Sequence, residues 1–244
     1  MKLFRKTRFK HLKKRNLFSY VTYILGEIIL VVAGILIAVY INNVNEEKKH
    51  QKELENILSI IVSDLQDDIK EANQIILSEE IKESSYDKFF KNELTKEIYK
   101  SDYALRRLIF GFPEISFNKR GFYLLRDNIN IDSSQDSILI KIMNIYTHQI
   151  DEVKADDELR KIEFQETYSH FKSQKWWFDY IEGITKRDTF NSDDFFEYVL
   201  KSEDYKNRVS SWYFINKFVF MPEIKVFVTE AQEIVDLIKN QNEY

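Results

Sequence analysis

The chain has 244 residues and a net charge of −4, but the average hides a split: residues 1–16 hold eight Lys and Arg and no acid, residues 17–41 hold one charge, Glu27, and residues 42–244 hold 28 basic against 39 acidic residues, −11. Five Gly and two Pro are too few for a turn-rich sandwich or barrel and point to long helices. The absence of Cys excludes disulfides, thiolate metal sites, a cysteine nucleophile and a lipidated cysteine.

In chain order, the first predicted element is the apolar run 17–41. As a helix its 25 residues cover about 37 Å, enough for a hydrocarbon core of about 30 Å with some tilt. Its fifteen Leu, Ile, Val and Phe contribute roughly −4 to −9 kcal/mol on the insertion scale against about +3 for one acid, so transfer into lipid wins even with Glu27 charged. A cleaved secretory signal also starts basic and turns apolar, but its apolar stretch runs about 7 to 15 residues and ends small-x-small. Here the run is longer, and Ala38-Val39-Tyr40 ends in a bulky ring, so the reading is an uncleaved anchor. Positive-inside logic puts residues 1–16 in the cytoplasm and 42–244 beyond the inner membrane. The basic tail needs only anionic headgroups as its partner, and no folded element for nucleic acid is visible.

Within the span, Glu27 is the costly residue and reads as a helix-contact or proton-responsive position. Thr22-xxx-Gly26 and Gly34-xxx-Ala38 are small-xxx-small pairs that permit close helix approach. Gly26, Glu27, Gly34 and Ala38 are therefore the candidate membrane-helix contacts, toward a second copy or another membrane protein.

The stretch Gly26 to Lys49, GEIILVVAGILIAVYINNVNEEKK, resembles the hallmark of an uncharacterised bacterial family of single-span membrane proteins, catalogued as a domain of unknown function. The similarity rests on Gly26, Glu27, Ile28, Leu30, Val31, Gly34, Ile35, Leu36, Ile37, Ala38, Ile41, Asn42, Asn43, Asn45 and Glu46. Val44 stands where that family has Trp, and Tyr123 to Tyr146 is loosely similar to its later portion. The resemblance implies a membrane-anchored helical protein and brings no enzyme activity or cofactor with it.

From Ile35 to Phe110 there is no Gly or Pro, and Leu54, Ile57, Leu58, Ile61, Leu65, Ile69, Ala72 and Ile76 recur at steps of three and four. The span is thus expected to continue into a stalk over 17–82, with Glu53, Glu55, Asp64, Asp67, Asp68, Lys70 and Glu71 on the other, charged face. Packing of the apolar stripe onto the same chain is favoured over a coiled coil. A helix over Ser101–Phe110 is expected to stop at Gly111-Phe112-Pro113, another to start at Ser116 as N-cap and end near Asp127. Asn128–Ser137 reads as a loop. Next come a helix over Gln135–His170 with Leu139, Ile142, Tyr146, Ile150, Val153, Leu159 and Ile162 inward, one over Ser192–Lys201 capped by Ser192, and one over Asp204–Phe220. Met221-Pro222 resets the chain before a last helix with Ile224, Phe227, Val228, Ala231, Ile234, Val235 and Ile238 inward. The expected fold is all-α: tail 1–16, transmembrane helix 17–41 and an extracytoplasmic helical bundle over 42–244.

Signals for chemistry are sparse. Glu47-x-x-His50 lacks the second such pair that a carboxylate-bridged two-metal bundle needs. His148 with Glu152 and Glu166 with His170 are pairings expected by chance among 40 acids. Ser-x-x-Lys occurs three times without its companion motifs, and the glycine-rich phosphate and dinucleotide loops and the hydrolase motifs are absent. Trp176, Trp177 and Tyr180 form a candidate partner surface, for a glycan or a protein, although the interior of a bundle is the commoner use of such rings. The sequence thus leads to a non-enzymatic, partner-binding or assembly protein of the bacterial envelope, with a laterally signalling, ligand-binding sensor domain as the alternative.

Overall fold

The computed structural model describes residues 17–108, 110–128, 136–186 and 192–241. The basic tail and most of the expected Asn128–Ser137 loop lie outside them. Among the described residues every regular element is helical. By internal contacts the chain divides into two units, residues 1–56 and 57–244.

The first unit contributes one helical stretch, the N-terminal part of α1, which runs unbroken over Leu17–Glu80. Its most apolar 18-residue window has a mean hydropathy of 2.7 and no buried residue, so this helix is long and apolar enough to cross a membrane. Leu30 is 76% exposed and Tyr40 70%. No side chain over 42–56 is buried either.

In the second unit, α1 turns its stripe inward: Ile57, Leu58, Ile61, Leu65, Ala72 and Ile75 are buried within this single chain. After it come α2 (Glu83–Phe90), α3 (Lys96–Ser101), a 3-10 turn at Leu105–Arg107, α4 (Arg120–Asn128), α5 (Ser137–Asn144), a wide π turn at Ile145–Gln149 and α6 (Ile150–Phe171). Then follow α7 (Trp177–Lys186), α8 (Asp193–Lys201), α9 (Glu203–Phe214), a second π turn at Ile215–Phe220 and α10 (Met221–Gln241). The C-terminal helix α10 packs on α5, the first π turn and α6, and buries Ile224, Phe227, Ala231, Ile234, Val235 and Ile238. A second, aromatic core joins α2, α3, α6, α7, α8 and α9 through Tyr86, Tyr99, Phe171, Trp176, Phe195 and Trp212, among others.

Several expectations are corrected. No α-helix covers Ser101–Phe110: Asp102 turns extended and its carboxylate accepts from the backbone N–H of Ala104 and Leu105, which starts the short 3-10 turn instead. Gly111 does end this segment, at φ +102°, where an L side chain is strained. Ser116 caps no helix. Its amide and hydroxyl both donate to Glu71, and α4 begins four residues later at Arg120. The helix expected from Gln135 starts at Ser137, after Asp136, whose carboxylate accepts from Ile138 N. Ser192 is the N-cap of α8 as expected, accepting from Phe195 N.

On α6, Leu159 and Ile162 face solvent (42% and 46% exposed) while Arg160 is fully buried, because the π turn inserts a residue into the period and rotates the inward face. Met221-Pro222 does not interrupt the chain. The wide turns over Ile215–Phe220 have already opened the ladder, with Met221 N donating five residues back to Asn216 O, so the missing Pro222 N–H breaks no regular α-helical run.

Candidate functional site

Sequence reasoning missed a set of carboxylates on α1 that bond backbone, two of them buried and the third, Glu71, half-buried. Asp64, Asp68 and Glu71 are spaced four and three residues apart on α1, which places them on one helical face. That face is not the solvated one: Asp64 is 6% exposed and Asp68 is fully buried. Each carboxylate receives one backbone amide of the segment 115–121, which has no regular structure up to Lys119 and then enters α4 at Arg120. Ser116 N donates to Glu71 at 3.0 Å, Asn118 N to Asp68 at 3.1 Å and Gly121 N to Asp64 at 2.8 Å. Asn118 Nδ2 adds a 2.7 Å bond to Asp68. From α6, Asp157 accepts from Ile115 N at 3.3 Å. A segment without its own ladder thus has four of its amides satisfied by four acids, and for the buried Ile115 and Gly121 such partners are required. Gly121 allows this approach, since a Cβ there would lie 2.7 Å from Ile61 Cγ1 and 2.9 Å from Ile61 N.

Burial, only partly offset by the bonds from Asn118 and reinforced by the charges of Asp64 and Glu71, pushes the Asp68 carboxyl up to about 7. A signal for this site did exist: Asp64 and Asp68 sit directly among Ile61, Leu65 and Ala72 in the apolar stripe. The 3.6-residue period alone does not separate a carboxylate at the edge of that stripe from one beside it.

Behind the same segment lies Arg160. Its Nε donates to Asn216 Oδ1 (2.9 Å) and its Nη1 to Asp157 Oδ1 (2.6 Å), and its guanidinium carbon sits 3.9 Å from the Phe220 ring centre and 5.1 Å from that of Phe112. Nη2 is buried without a hydrogen-bond partner among the described residues. Burial lowers the Arg160 pKa from its ordinary value while Asp157 and Glu79 oppose the shift. On Asp157, burial raises the pKa against Arg160. Such a pair holds α6, the second π turn and the 113–115 backbone in one arrangement.

Residues 103–114, of which Ile109 is outside the description, face α1 across an open cleft of about 920 Å³. Ile75, Phe110 and Phe112 supply its apolar surface, Lys82 and Arg107 positive charge, and Asp67, Glu71 and Glu114 negative charge.

The residues singled out from sequence fall in different places. Gly26, Glu27, Gly34 and Ala38 are all exposed on α1. At 100° per residue Glu27, Gly34 and Ala38 fall within about 40° of one another, with Gly26 on the adjoining flank. A Cβ added at Gly26 or Gly34 would meet nothing within 4 Å. Trp176 (3% exposed) and Tyr180 (4%) belong to the aromatic core and present no surface; Trp177 is half-buried, and the exposed ring of this group is Phe178, at 74%. His170 Nε2 lies 3.0 Å from Asp204, which also accepts from Tyr198 and Arg208. Although burial acts to raise it, these partners hold Asp204 below the usual carboxylate range. No group of three or more His, Asp or Glu suited to a metal ion occurs among the described residues.

Comparison of the chain with family models, with characterised proteins and with solved structures finds no match.

Proposed function

We propose that the chain is a single-pass protein of the bacterial inner membrane, with residues 1–16 cytoplasmic, residues 17–41 in the bilayer and the helical domain extracytoplasmic, where it binds a partner or supports assembly without catalysing a reaction. The observation that carries anchoring is the window of mean hydropathy 2.7 with no buried residue. An apolar surface of that extent has no favourable solvent in water. Orientation rests on eight basic residues before the span against the acidic residues 42–244, and the envelope setting on the resemblance of Gly26–Lys49. Glu27, Gly34 and Ala38 on one face, beside Gly26, would serve contact with a second copy or another membrane helix.

Protease added outside intact spheroplasts is expected to digest residues 42–244 and spare a tag at the N-terminus. A digested tag with a protected domain overturns the orientation. Crosslinking in cells is expected to capture a membrane partner or a dimer, and Glu27→Leu to reduce it. The 920 Å³ cleft favours a second reading, a sensor domain that takes a ligand there and signals laterally through the membrane.

A further inference from the structure

The charges lining the cleft are sorted along its length. One wall is the α1 face from Asp67 to Ser78, about 17 Å of helix at 1.5 Å per residue, continued by Ile81 and Lys82 in the turn just past its end. The other wall runs antiparallel to it in chain order. Lys88 and Ser85 of α2 both donate to Asp102, which places Asp102 beside the helix that follows the end of α1, and Ser116 donates to Glu71, which places 114–116 about two and a half turns before that end.

One end of the cleft therefore carries Lys82 and Arg107, and the other Asp67, Glu71 and Glu114, with Lys70 as the opposing charge there. The middle is apolar, from Ile75, Phe110 and Phe112. At the basic end Lys82 is already tied to Glu79 at 2.8 Å, but Arg107 has no carboxylate partner among the described residues. Its Nη1 donates to Tyr103 Oη at 3.1 Å, and the absence of a side chain at Gly111 leaves room for Nη2, which would stand 3.1 Å from a Cβ there. At the acidic end Glu114 pairs with Lys161, whereas Glu71 receives only the neutral donors of Ser116 and Asp67 has no ion pair among the described residues.

A guanidinium fork open for a carboxylate, a second end with acids open for an ammonium, and an apolar stretch between them complement one kind of ligand. We propose that this cleft binds a short linear peptide with free termini and an apolar middle, its C-terminal carboxylate on Arg107 and its N-terminal ammonium at Asp67 and Glu71. Counted at the helical rise, Glu71 to Lys82, two residues past the end of α1, is about 16 Å, the reach of roughly five extended residues at about 3.3 Å each. The inference rests on reading the helical domain as a binding module and is independent of which way the span is inserted.

The test is calorimetric titration of the full chain in lipid nanodiscs with the pentapeptide Ala-Leu-Phe-Leu-Ala, against empty nanodiscs, using three forms of the peptide: free termini, C-terminal amide and N-terminal acetyl. The expected result is saturable one-to-one binding of the free form, weakened at least tenfold by amidation and also by acetylation. Arg107→Gln is expected to abolish the penalty for amidation and keep that for acetylation; Asp67→Asn is expected to reduce only the second. Absence of saturable binding by protein that still unfolds cooperatively, or equal affinity for free and doubly blocked peptide, overturns the proposal without needing either variant. Capture of a protein partner in cells by a chain that binds no such peptide would likewise overturn it, while leaving the partner-binding reading in place.

Discussion

Two stretches of one helix, residues 20–41 and 57–80 of α1, meet opposite fates. In the first, apolar side chains such as Leu30, Leu36 and Ile29 are more than half exposed; in the second, the charged side chains of Asp64, Asp68 and Glu79 are buried. Helix propensity does not distinguish them, since both stretches form the same regular backbone. What differs is the surroundings each is built for: the first presents a surface suited to lipid, the second supplies acceptors to a neighbouring segment whose amides would otherwise lack partners. Polarity in this molecule follows the partner a side chain has, and not simply an apolar-in, polar-out rule.

The comparison is broken most strongly by putting charge where apolar surface is exposed. Val31→Arg with Ile35→Arg adds two residues at about +2.5 to +3.5 kcal/mol each at a span centre. The double variant is expected to leave the membrane fraction while its second unit keeps the melting temperature of the parent; loss of both together would show that the two stretches are not independent.

Next in size is removal of a buried charge. Arg160→Ala leaves Asp157 buried and unpaired and is expected to cost about 3–5 kcal/mol in denaturant titration. Adding Asp157→Leu is expected to restore part of that loss, because the stranded carboxylate goes with it. Gly121→Ala forces a methyl group against the Ile61 backbone and is expected to cost about 1–3 kcal/mol, with the segment after Ile115 losing hydrogen-exchange protection first.

A finer effect is the pH dependence owed to Asp68. Its folded pKa, raised to about 7, lies above the ordinary value of 3.8, so the folded state binds the proton more tightly than the unfolded one. The resulting stabilisation is complete below about 3.8 and is lost as pH rises through about 7. Between pH 6 and 8 the melting temperature of the native chain is expected to fall relative to that of Asp68→Asn, which keeps an acceptor for Asn118 N and does not titrate. Parallel curves for the two proteins would remove Asp68 from the account.

Much of the fold was legible in sequence. The apolar run, the stripe from Ile57 to Ala72, the Ser192 cap and the inward face of α10 follow from hydropathy and a 3.6-residue period, which act locally. The parts that were not legible depend on distant residues. Leu159 and Ile162 were misplaced because a π turn at Ile145–Gln149 shifts the period ahead of them. Met221-Pro222 looked like a break because the second π turn that accommodates it leaves no local mark. Ser116 looked like a cap because its true partner, Glu71, is 45 residues away. The same holds for the candidate site: Gly26, Glu27, Gly34 and Ala38 could be placed on a helix, but only the folded core shows that Trp176 and Tyr180 are interior rings, or that Asp64 and Asp68 hold a segment of backbone.

The most direct test of the central claim, that lipid is the solvent of the exposed apolar stretch, is extraction of cell membranes carrying the full chain with alkaline sodium carbonate followed by sedimentation. The account predicts that the chain stays in the membrane pellet and is released only by detergent. Recovery of the intact chain in the aqueous supernatant would contradict it.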